Sequence, residues 1–384
     1  MLTNFIKNRI SFSETRGLDQ IMILAIFILC SIGLVMVSSA TLDYSYEKTG
    51  DSFHLITKHV TYLIMGIILA SIMARIKLEF YNDYSKYFLV FSFLISLVVF
   101  IPGVGREING ATRWLDLKFI TLQVTEISRI FILIWVCSYL SRKNINESFN
   151  KCFFMIIILS IILIFQKDLG SIILLVISFF SLILILGLSI KRFLIYSTVA
   201  LIGIIPLVVF QPYRLARVIS FLDPWSDPTG SGYQLMQSLL AFGKGGFFGL
   251  GLGSSVQKLF YLPESYNDFI FALIAEELGL VFTAMVVIIF YIIFLRIFIL
   301  ASKSFENGLQ FAGNLAYMIG FLITFQSIIH IMVNIGLFPT KGMGLPFISY
   351  GGTNLISMFI CVGILIRIQI ENRKKVSQGF QRGF

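Results

Sequence analysis

Two carboxylates near the start of a long apolar segment are the residues best placed to do chemistry. Asp268 stands where a polar loop enters the apolar run 269–300, and Glu264 lies four residues before it. A carboxylate at a membrane surface, where a polar headgroup meets a lipid tail, can act as a general base toward a hydroxyl nucleophile. The same side chain could instead cap the helix that follows. The spacing leaves both interpretations of Asp268 open.

A second charged pair lies inside an apolar segment. Glu126 and Arg129 are three residues apart, which places them on one face of a helix. Ionisable residues inside a membrane are costly, so they usually face a partner, a cavity or a substrate path. The pair is therefore either a structural ion pair or part of a polar cavity in which Arg129 tethers Glu126.

Cations recur in the polar segments on the same predicted side as Asp268. They suit a phosphate or pyrophosphate group, because Arg and Lys stabilise phosphate charge. Contact with bulk anionic lipid is the simpler alternative. The cations are Arg113, Arg214, Arg217, Lys244, Lys258 and Lys341.

The sequence predicts no dedicated metal site and no nucleotide site. The four cysteines lie in or beside apolar runs without a C-x-x-C pair, and the three histidines lack metal-ligand spacing. The glycine-rich run that begins at Gly243 lacks the order of a phosphate-binding P-loop. A divalent cation, Mg²⁺ or Mn²⁺, would at most share the neutralisation of phosphate charge.

Composition places these residues in a polytopic membrane protein. Of 384 residues, 57% are hydrophobic and only 13% are charged, and the mean hydropathy is +0.89. The net charge of +10 is explained by membrane topology, and no nucleic-acid partner is expected. Apolar runs must form helices, since backbone amides in hydrocarbon have no water partner. Ten runs are predicted, near 21–40, 57–76, 86–101, 119–140, 152–165, 169–189, 193–211, 269–300, 310–335 and 354–370.

The basic residues predict the orientation of this all-α bundle. Eighteen Lys and Arg fall on the side that would hold both termini, and eleven fall on the other side. Cytoplasmic loops carry the excess of Lys and Arg, so both termini are expected inside. The predicted divisions are a cytoplasmic segment 1–19, a ten-helix domain 20–370 with a large outer loop 212–267, and a cytoplasmic tail 371–384.

Three long strings closely resemble the SEDS family of membrane proteins. They are GSGYQLMQSLLAFGKG from Gly230, YLPESYNDF from Tyr261 and PTKGMGLPFISYGG from Pro339. The resemblance runs from the first span to the last and implies ten transmembrane helices with a large outer loop between helices 7 and 8. SVQK at 255–258 and PTKG at 339–342 are closer to the cell-division branch of the family than to the elongation branch.

The resemblance implies a peptidoglycan glycosyltransferase that polymerises lipid II outside the cytoplasmic membrane, at the division septum. Partners would be a class B penicillin-binding transpeptidase and other divisome membrane proteins. Asp268 matches the catalytic acidic position, and Glu264 matches the glutamate of L-P-E. Other matching positions are Lys341 of P-T-K-G, Lys258 of SVQK, Arg113 of R-W, Gln123 and Glu126 of Q-P-S-E, and Arg129 in place of a lysine.

The expected reaction is an inverting glycosyl transfer. Asp268 would deprotonate the acceptor hydroxyl, while Lys341, Arg113 and Lys258 would hold the pyrophosphate. The sequence departs from the family at Tyr266 and Asn267, which replace a His-Thr pair, and at Lys167, which replaces the proline of Q-P-D. Two alternatives stay open: a lipid II flippase that depends on Glu126, and a non-catalytic scaffold that recruits a transpeptidase.

Overall fold

A computed structural model of the protein describes residues 18–108, 110–116 and 121–382. The predicted segment 1–19 lies almost entirely outside these residues. The helices are α1 Gln20–Thr49, α2 His54–Arg75, α3 Leu78–Asp83, α4 Ser85–Val98, α5 Val124–Arg142, α6 Ile145–Phe165, α7 Leu169–Ile185, α8 Ile190–Val209, α9 Pro212–Leu222, α10 Tyr233–Gly245, α11 Ile270–Glu306, α12 Gln310–Asn334 and α13 Gly352–Arg382.

The membrane-spanning helices follow the predicted apolar runs. In the described part of the chain, eight helices are long and apolar enough to cross a membrane: α1, α2, α5, α6, α8, α11, α12 and α13. Two shorter apolar helices, α4 and α7, occupy the positions of the third and sixth predicted spans. α6 begins at Ile145, seven residues before the predicted start, and α13 continues through Arg382 along the predicted tail.

We call the end of the bundle that holds loops 210–269 and 335–351 the loop end, and the opposite end the tail end. A three-stranded antiparallel sheet, absent from the all-α prediction, lies at the loop end. Its strands are β1 Gly105–Ile108, β2 Ala111–Asp116 and β3 Thr121–Gln123, in that order. β3 leads directly into α5, so the helix begins at Val124, five residues after the start of the predicted span 119–140. The sheet thus presents Arg113 and Gln123 at one edge of the loop end.

The predicted 269–300 span is wrong in one respect, because α11 is broken. Gly279 adopts φ 80° and ψ −179°, and residues 246–251 pair their backbone with the break. The Leu250 amide donates to the Glu276 carbonyl at 2.9 Å, and the Leu280 amide donates to the Gly246 carbonyl at 2.9 Å. The first turns of α11, which follow Asp268, are therefore held by the loop rather than by a continuous helix.

Gly279→Ala is expected to destabilise the protein strongly. An alanine Cβ would lie 2.3 Å from the Gly249 amide nitrogen, and φ of 80° is unfavourable for L side chains. The backbone conformation alone costs about 1–3 kcal/mol, and the overlap with backbone adds to it. Thermal unfolding in detergent measures the loss. Gly243→Ala is the matched control, since that glycine lies in α10 with open space around its Cβ position.

A wild-type melting temperature for Gly279→Ala would contradict the observed break. The control is expected to be neutral or slightly stabilising, by up to about 1 kcal/mol, because alanine favours a helix interior over glycine.

At the tail end, a buried ion pair joins the first helix to the eleventh. Asp19 caps α1 by accepting from the Met22 amide at 3.1 Å. Its carboxylate also accepts from Arg296 Nε at 2.8 Å and Nη2 at 2.9 Å. The Asp19 amide donates to Gln369 Oε1 at 3.0 Å. These contacts tie α1, α11 and α13 together at the end of the bundle opposite Asp268.

Candidate functional site

The loop after α12 is fastened to the bundle beside Asp268. His330 Nδ1 hydrogen-bonds the Met343 carbonyl at 2.7 Å, and Gln326 Nε2 donates to the Gly344 carbonyl at 3.0 Å. Ser349 Oγ donates to the Asn267 carbonyl at 2.7 Å. The loop that carries the P-T-K-G string is thereby joined to the segment that carries the candidate base.

Asp268 lies just before α11 and is held by its backbone. Its amide donates to the Glu264 carbonyl at 3.0 Å, and its carbonyl accepts from Asn334 Nδ2 at 3.0 Å. A Cβ on residue 342 would lie 2.7 Å from Asp268 Oδ2, so glycine at that position lets the loop pass close to the carboxylate. The N-cap residue of α11 is Phe269, and no side-chain hydrogen bond caps the helix. This geometry favours a chemical role for the carboxylate over the capping interpretation.

The surroundings of Asp268 alter its acidity. Desolvation by the surrounding protein and the nearby Glu264 carboxylate raise the pKa of Asp268 to about 7. Arg113, Arg217 and Lys341 act in the opposite direction. Glu264 has a positive φ of 55°, and its carboxylate is hydrogen-bonded by Tyr266. A carboxylate whose pKa lies near neutrality suits a general base, because it is deprotonated yet accepts a proton readily.

Four cations converge on the loop between α12 and α13. Arg217 Nη1 donates to the Thr340 carbonyl at 2.9 Å, next to Lys341. Burial is the main cause that lowers the pKa of Lys341 to about 8, and Arg113, Arg214 and Arg217 add to this effect. Asp168 opposes it. The structure therefore brings Lys341 and Arg113 together with Asp268, and adds two arginines from α9.

Lys258 lies in a different cluster. Its Nζ is 3.3 Å from Glu277 Oε1, 3.1 Å from Ser39 Oγ and 2.7 Å from the Gly253 carbonyl. An ammonium has three donor hydrogens, and these contacts use all of them. Lys258 therefore belongs to a hydrogen-bonded cluster that joins the outer loop to α1 and α11, which we call the Lys258 cluster. It does not lie among the cations around Lys341.

Glu276, the neighbour of Glu277 on α11, binds the same outer-loop segment as the Lys258 cluster. It is fully buried and accepts hydrogen bonds from the Val256 amide at 3.2 Å, the Gln257 amide at 3.3 Å and the Ser255 hydroxyl. A short helical turn, Gln257–Tyr261, starts at these amides. The two buried glutamates of α11 therefore hold the SVQK string in place.

Glu126 and Arg129 form a buried ion pair, with Arg129 Nη2 2.6 Å from Glu126 Oε2. The Ser357 hydroxyl also donates to Glu126 at 3.2 Å, and Arg129 reaches Gln326 Oε1 at 3.4 Å. Gln326 in turn holds the Gly344 carbonyl. The pair therefore joins α5, α12 and α13 and supports the loop of Lys341.

Gln123 belongs to the edge of the loop-end sheet. Its amide donates to Thr353 Oγ1 at 2.9 Å, and its side chain donates to Asp168 Oδ2 at 3.4 Å. The sequence does not predict Asp168 as a site residue, and it marks Arg214 and Arg217 only as outer cations. The Q-K-D string at 166–168 was the available signal for Asp168.

The described residues around Asp268 do not form a metal site built from protein ligands alone. Within the residues that the structure describes, no group of three or more His, Cys, Asp and Glu is placed to hold one. The neighbours of Asp268 include one other carboxylate, Glu264, and three cations.

The chain resembles known cell cycle proteins over nearly its full length. Residues 19–374 match the FtsW, RodA and SpoVE family model, which is described as "Cell cycle protein". A probable peptidoglycan glycosyltransferase FtsW from Coxiella burnetii is 37% identical over 370 residues, which are 95% of this chain and 98% of that protein. The protein of the same name from Aliivibrio salmonicida is 39% identical over 346 residues, which are 89% of this chain and 86% of the relative.

Solved structures share the fold. A chain from a study of the structural coordination of polymerization and crosslinking by a peptidoglycan synthase complex aligns with a TM-score of 0.77 and 22% identity, over 93% of this chain and 99% of that chain. RodA from Thermus thermophilus aligns with a TM-score of 0.66 and 20% identity, over 93% of this chain and 98% of that chain. The ten apolar helices therefore adopt a known membrane-protein architecture.

Proposed function

The chain belongs to the FtsW, RodA and SpoVE family of cell cycle proteins, and on this premise we propose that it is a peptidoglycan glycosyltransferase. It polymerises lipid II into glycan strands at the outer face of the cytoplasmic membrane, during septal cell-wall synthesis. One observation carries the proposal: a carboxylate with a pKa near neutrality, Asp268, shares its surroundings with three cations at one end of the bundle.

The reaction is an inverting transfer between two lipid II molecules. Asp268 accepts the proton of the 4-hydroxyl of the acceptor GlcNAc as its oxygen bonds to the anomeric carbon of the donor MurNAc. The bond from that carbon to the pyrophosphate oxygen breaks, and the polyprenyl pyrophosphate leaves with the electron pair. Burial and, after it, the Glu264 carboxylate keep the pKa of Asp268 high enough for proton transfer at neutral pH.

The cations stabilise the leaving group. Negative charge builds on the pyrophosphate as the glycosidic bond breaks, and fixed cations in a poorly solvated site stabilise it without reorganisation. Lys341 and Arg113 serve this purpose, and Arg214 and Arg217 join them in place of Lys258. A divalent cation that shares this neutralisation stays a prediction; within the described residues, no group of three or more His, Cys, Asp and Glu is placed to hold one.

Orientation and partners complete the proposal. Both termini lie in the cytoplasm, with Asp268 and the loop end outside; the excess of Lys and Arg on the terminal side supports this orientation. The protein works with a class B penicillin-binding transpeptidase and other divisome membrane proteins. The fold it shares with a chain of a peptidoglycan synthase complex is compatible with this partnership.

The direct test is polymerisation of labelled lipid II by the purified protein, alone and with its transpeptidase, followed on a gel. Strands that lengthen with time are expected. Lipid II that crosses liposome membranes but stays monomeric would instead support the flippase, and an intact complex with neither activity would support the scaffold.

The pH dependence of the reaction follows from two of these groups. Asp268 must be deprotonated to act as a base, so activity falls as the pH drops below its pKa of about 7. Lys341 must be protonated to hold pyrophosphate, so activity falls again as the pH rises above its pKa of about 8. We therefore expect a narrow bell-shaped pH profile of kcat/KM, with an acidic limb from Asp268 and a basic limb from Lys341. The pH dependence of kcat/KM reports the pKa values of the free enzyme. Initial rates between pH 5 and 10 measure it.

Lys341→Arg is the control for the basic limb. Arginine keeps its charge throughout this range, so the fall above pH 8 should disappear even if the rate is lower. A profile that is flat from pH 5 to 7 would contradict the role of Asp268.

A further inference from the structure

Asp168 is a buried carboxylate at the loop end that accepts four hydrogen bonds. It is 2% exposed and caps α7, accepting from the Ser171 amide at 3.2 Å and the Ser171 hydroxyl at 2.8 Å. Thr125 Oγ1 donates to it at 2.9 Å and Gln123 Nε2 at 3.4 Å. Contacts from β3, α5 and α7 fix both of its oxygens.

This fixed carboxylate lies beside two of the substrate-binding cations. Arg113 Nη1 is 3.5 Å from Asp168 Oδ1, in a pair that is largely buried. The stem of Lys341 lies over the first turn of α7, where a Cβ on Gly170 would be 2.5 Å from Lys341 Cε. The N-terminus of α7, like that of any helix, is unfavourable for a cation. Three arginines, Arg113, Arg214 and Arg217, further disfavour the charge of Lys341. An ammonium there needs a counter-charge, and Asp168 is the carboxylate that provides it.

We infer that Asp168 is a positioning residue of the transfer reaction, which orients Arg113 and keeps Lys341 charged for the pyrophosphate while contacting no substrate itself. The inference rests on the proposed function. Helix capping alone would not require a carboxylate, since serine, threonine and asparagine cap as well.

The charge of Asp168 sets the pH range in which the site works. Burial raises the pKa of Asp168, but Arg113, Lys341 and the hydrogen bonds outweigh it and hold that pKa well below its usual value, so Asp168 stays ionised while the site titrates. Its charge raises the pKa of Lys341 against the desolvation that lowers it. Without Asp168, Lys341 would lose its proton at lower pH, and Asp268 would in turn lose a cation that lowers its pKa. The acidic limb and the basic limb of the pH profile would then move toward each other.

The charged groups that act on Lys341 or Asp268 are Asp168, Glu264, Arg113, Arg214 and Arg217.

Asp168→Asn tests the inference with the full-length protein and its transpeptidase. Asparagine keeps an oxygen for the cap and removes the charge. The charge of Asp168 raises the pKa of Lys341, so its removal should lower that pKa and move the basic limb from about pH 8 to about pH 7 or below. The KM for lipid II should rise, and kcat/KM at pH 8 should fall by about tenfold. A basic limb that stays in place would overturn the inference.

Asp19→Asn is the matched control. Asp19 is also a buried aspartate that caps a helix and pairs with an arginine, but it lies at the tail end. It should lower the melting temperature and leave both limbs of the pH profile in place. If Asp19→Asn shifts the basic limb equally, the effect of Asp168→Asn is one of general stability and the inference fails.

Two further results separate the possible failures. If Asp168→Asn does not fold, Asp168→Glu carries the test: it keeps the charge but displaces Arg113, so KM should rise while the basic limb stays near pH 8. An unchanged KM in that variant would overturn the inference. Wild-type protein that joins no lipid II would instead refute the proposed function itself.

Discussion

Asp268→Asn is expected to lower the rate of lipid II polymerisation by about 10²–10⁴-fold, the usual contribution of a positioned general base. The asparagine side chain has nearly the same shape, so the loop that passes Gly342 needs no rearrangement. The contacts that place this residue use its backbone, through Glu264 and Asn334, and they persist in the variant. The loss therefore reports proton transfer rather than folding. Gel analysis of strands made with the transpeptidase partner measures it.

The matched control is Asp223→Asn, an exposed aspartate of the same outer loop that directly follows α9 and whose carboxylate accepts from the Trp225 amide at 3.2 Å. It should polymerise at the wild-type rate. Folding of both variants is verified by their melting temperatures and by co-purification of the transpeptidase. A folded Asp268→Asn variant that works at the normal rate would remove Asp268 from the mechanism and leave it a structural residue.

The spans were predictable because they depend on hydropathy alone. Long apolar runs must be helical in a membrane, and α12 starts at Gln310, where the run was predicted to start. The break of α11 was not predictable, because Gly279 resembles any glycine inside an apolar run. Its conformation is set by residues 246–251, which are distant in sequence and pair with its backbone. The sheet was missed because its three strands are short and have little hydrophobic pattern.

The site was predictable where a short string carries it, as at Asp268 and Lys341. It was not predictable where two cations of similar appearance differ in their neighbours. Lys258 and Arg217 both lie in outer segments, yet Lys258 is paired with Glu277, whereas Arg217 reaches the loop beside Lys341. Sequence spacing does not reveal which carboxylate a lysine meets across the bundle. That choice depends on how α1 and α11 pack.

Glu126 distinguishes the structural from the transport interpretation, and Glu126→Leu is expected to destabilise the protein by about 3–5 kcal/mol. The substitution leaves the Arg129 charge in the bundle, where the side chain is 1% exposed and two guanidinium nitrogens have no hydrogen-bond partner within the described residues. Burying a charge without its counter-charge lowers the free energy of unfolding far more than replacing both charged residues by apolar side chains of similar volume. Chemical or thermal unfolding in detergent measures the difference.

The double variant Glu126→Leu/Arg129→Met decides what the pair is for. Removing both charges should restore most of the stability, because apolar replacements of buried pairs are often neutral or stabilising. If the pair only joins α5 to Gln326 and α13, the double variant should also regain polymerisation, with a modest loss from the missing Arg129–Gln326 contact. If Glu126 instead lines a headgroup path, the double variant should fold well and still fail to move lipid II. Stability that returns without activity would therefore show that this buried pair serves the substrate, while recovery of both would establish it as the support on which the Lys341 loop rests.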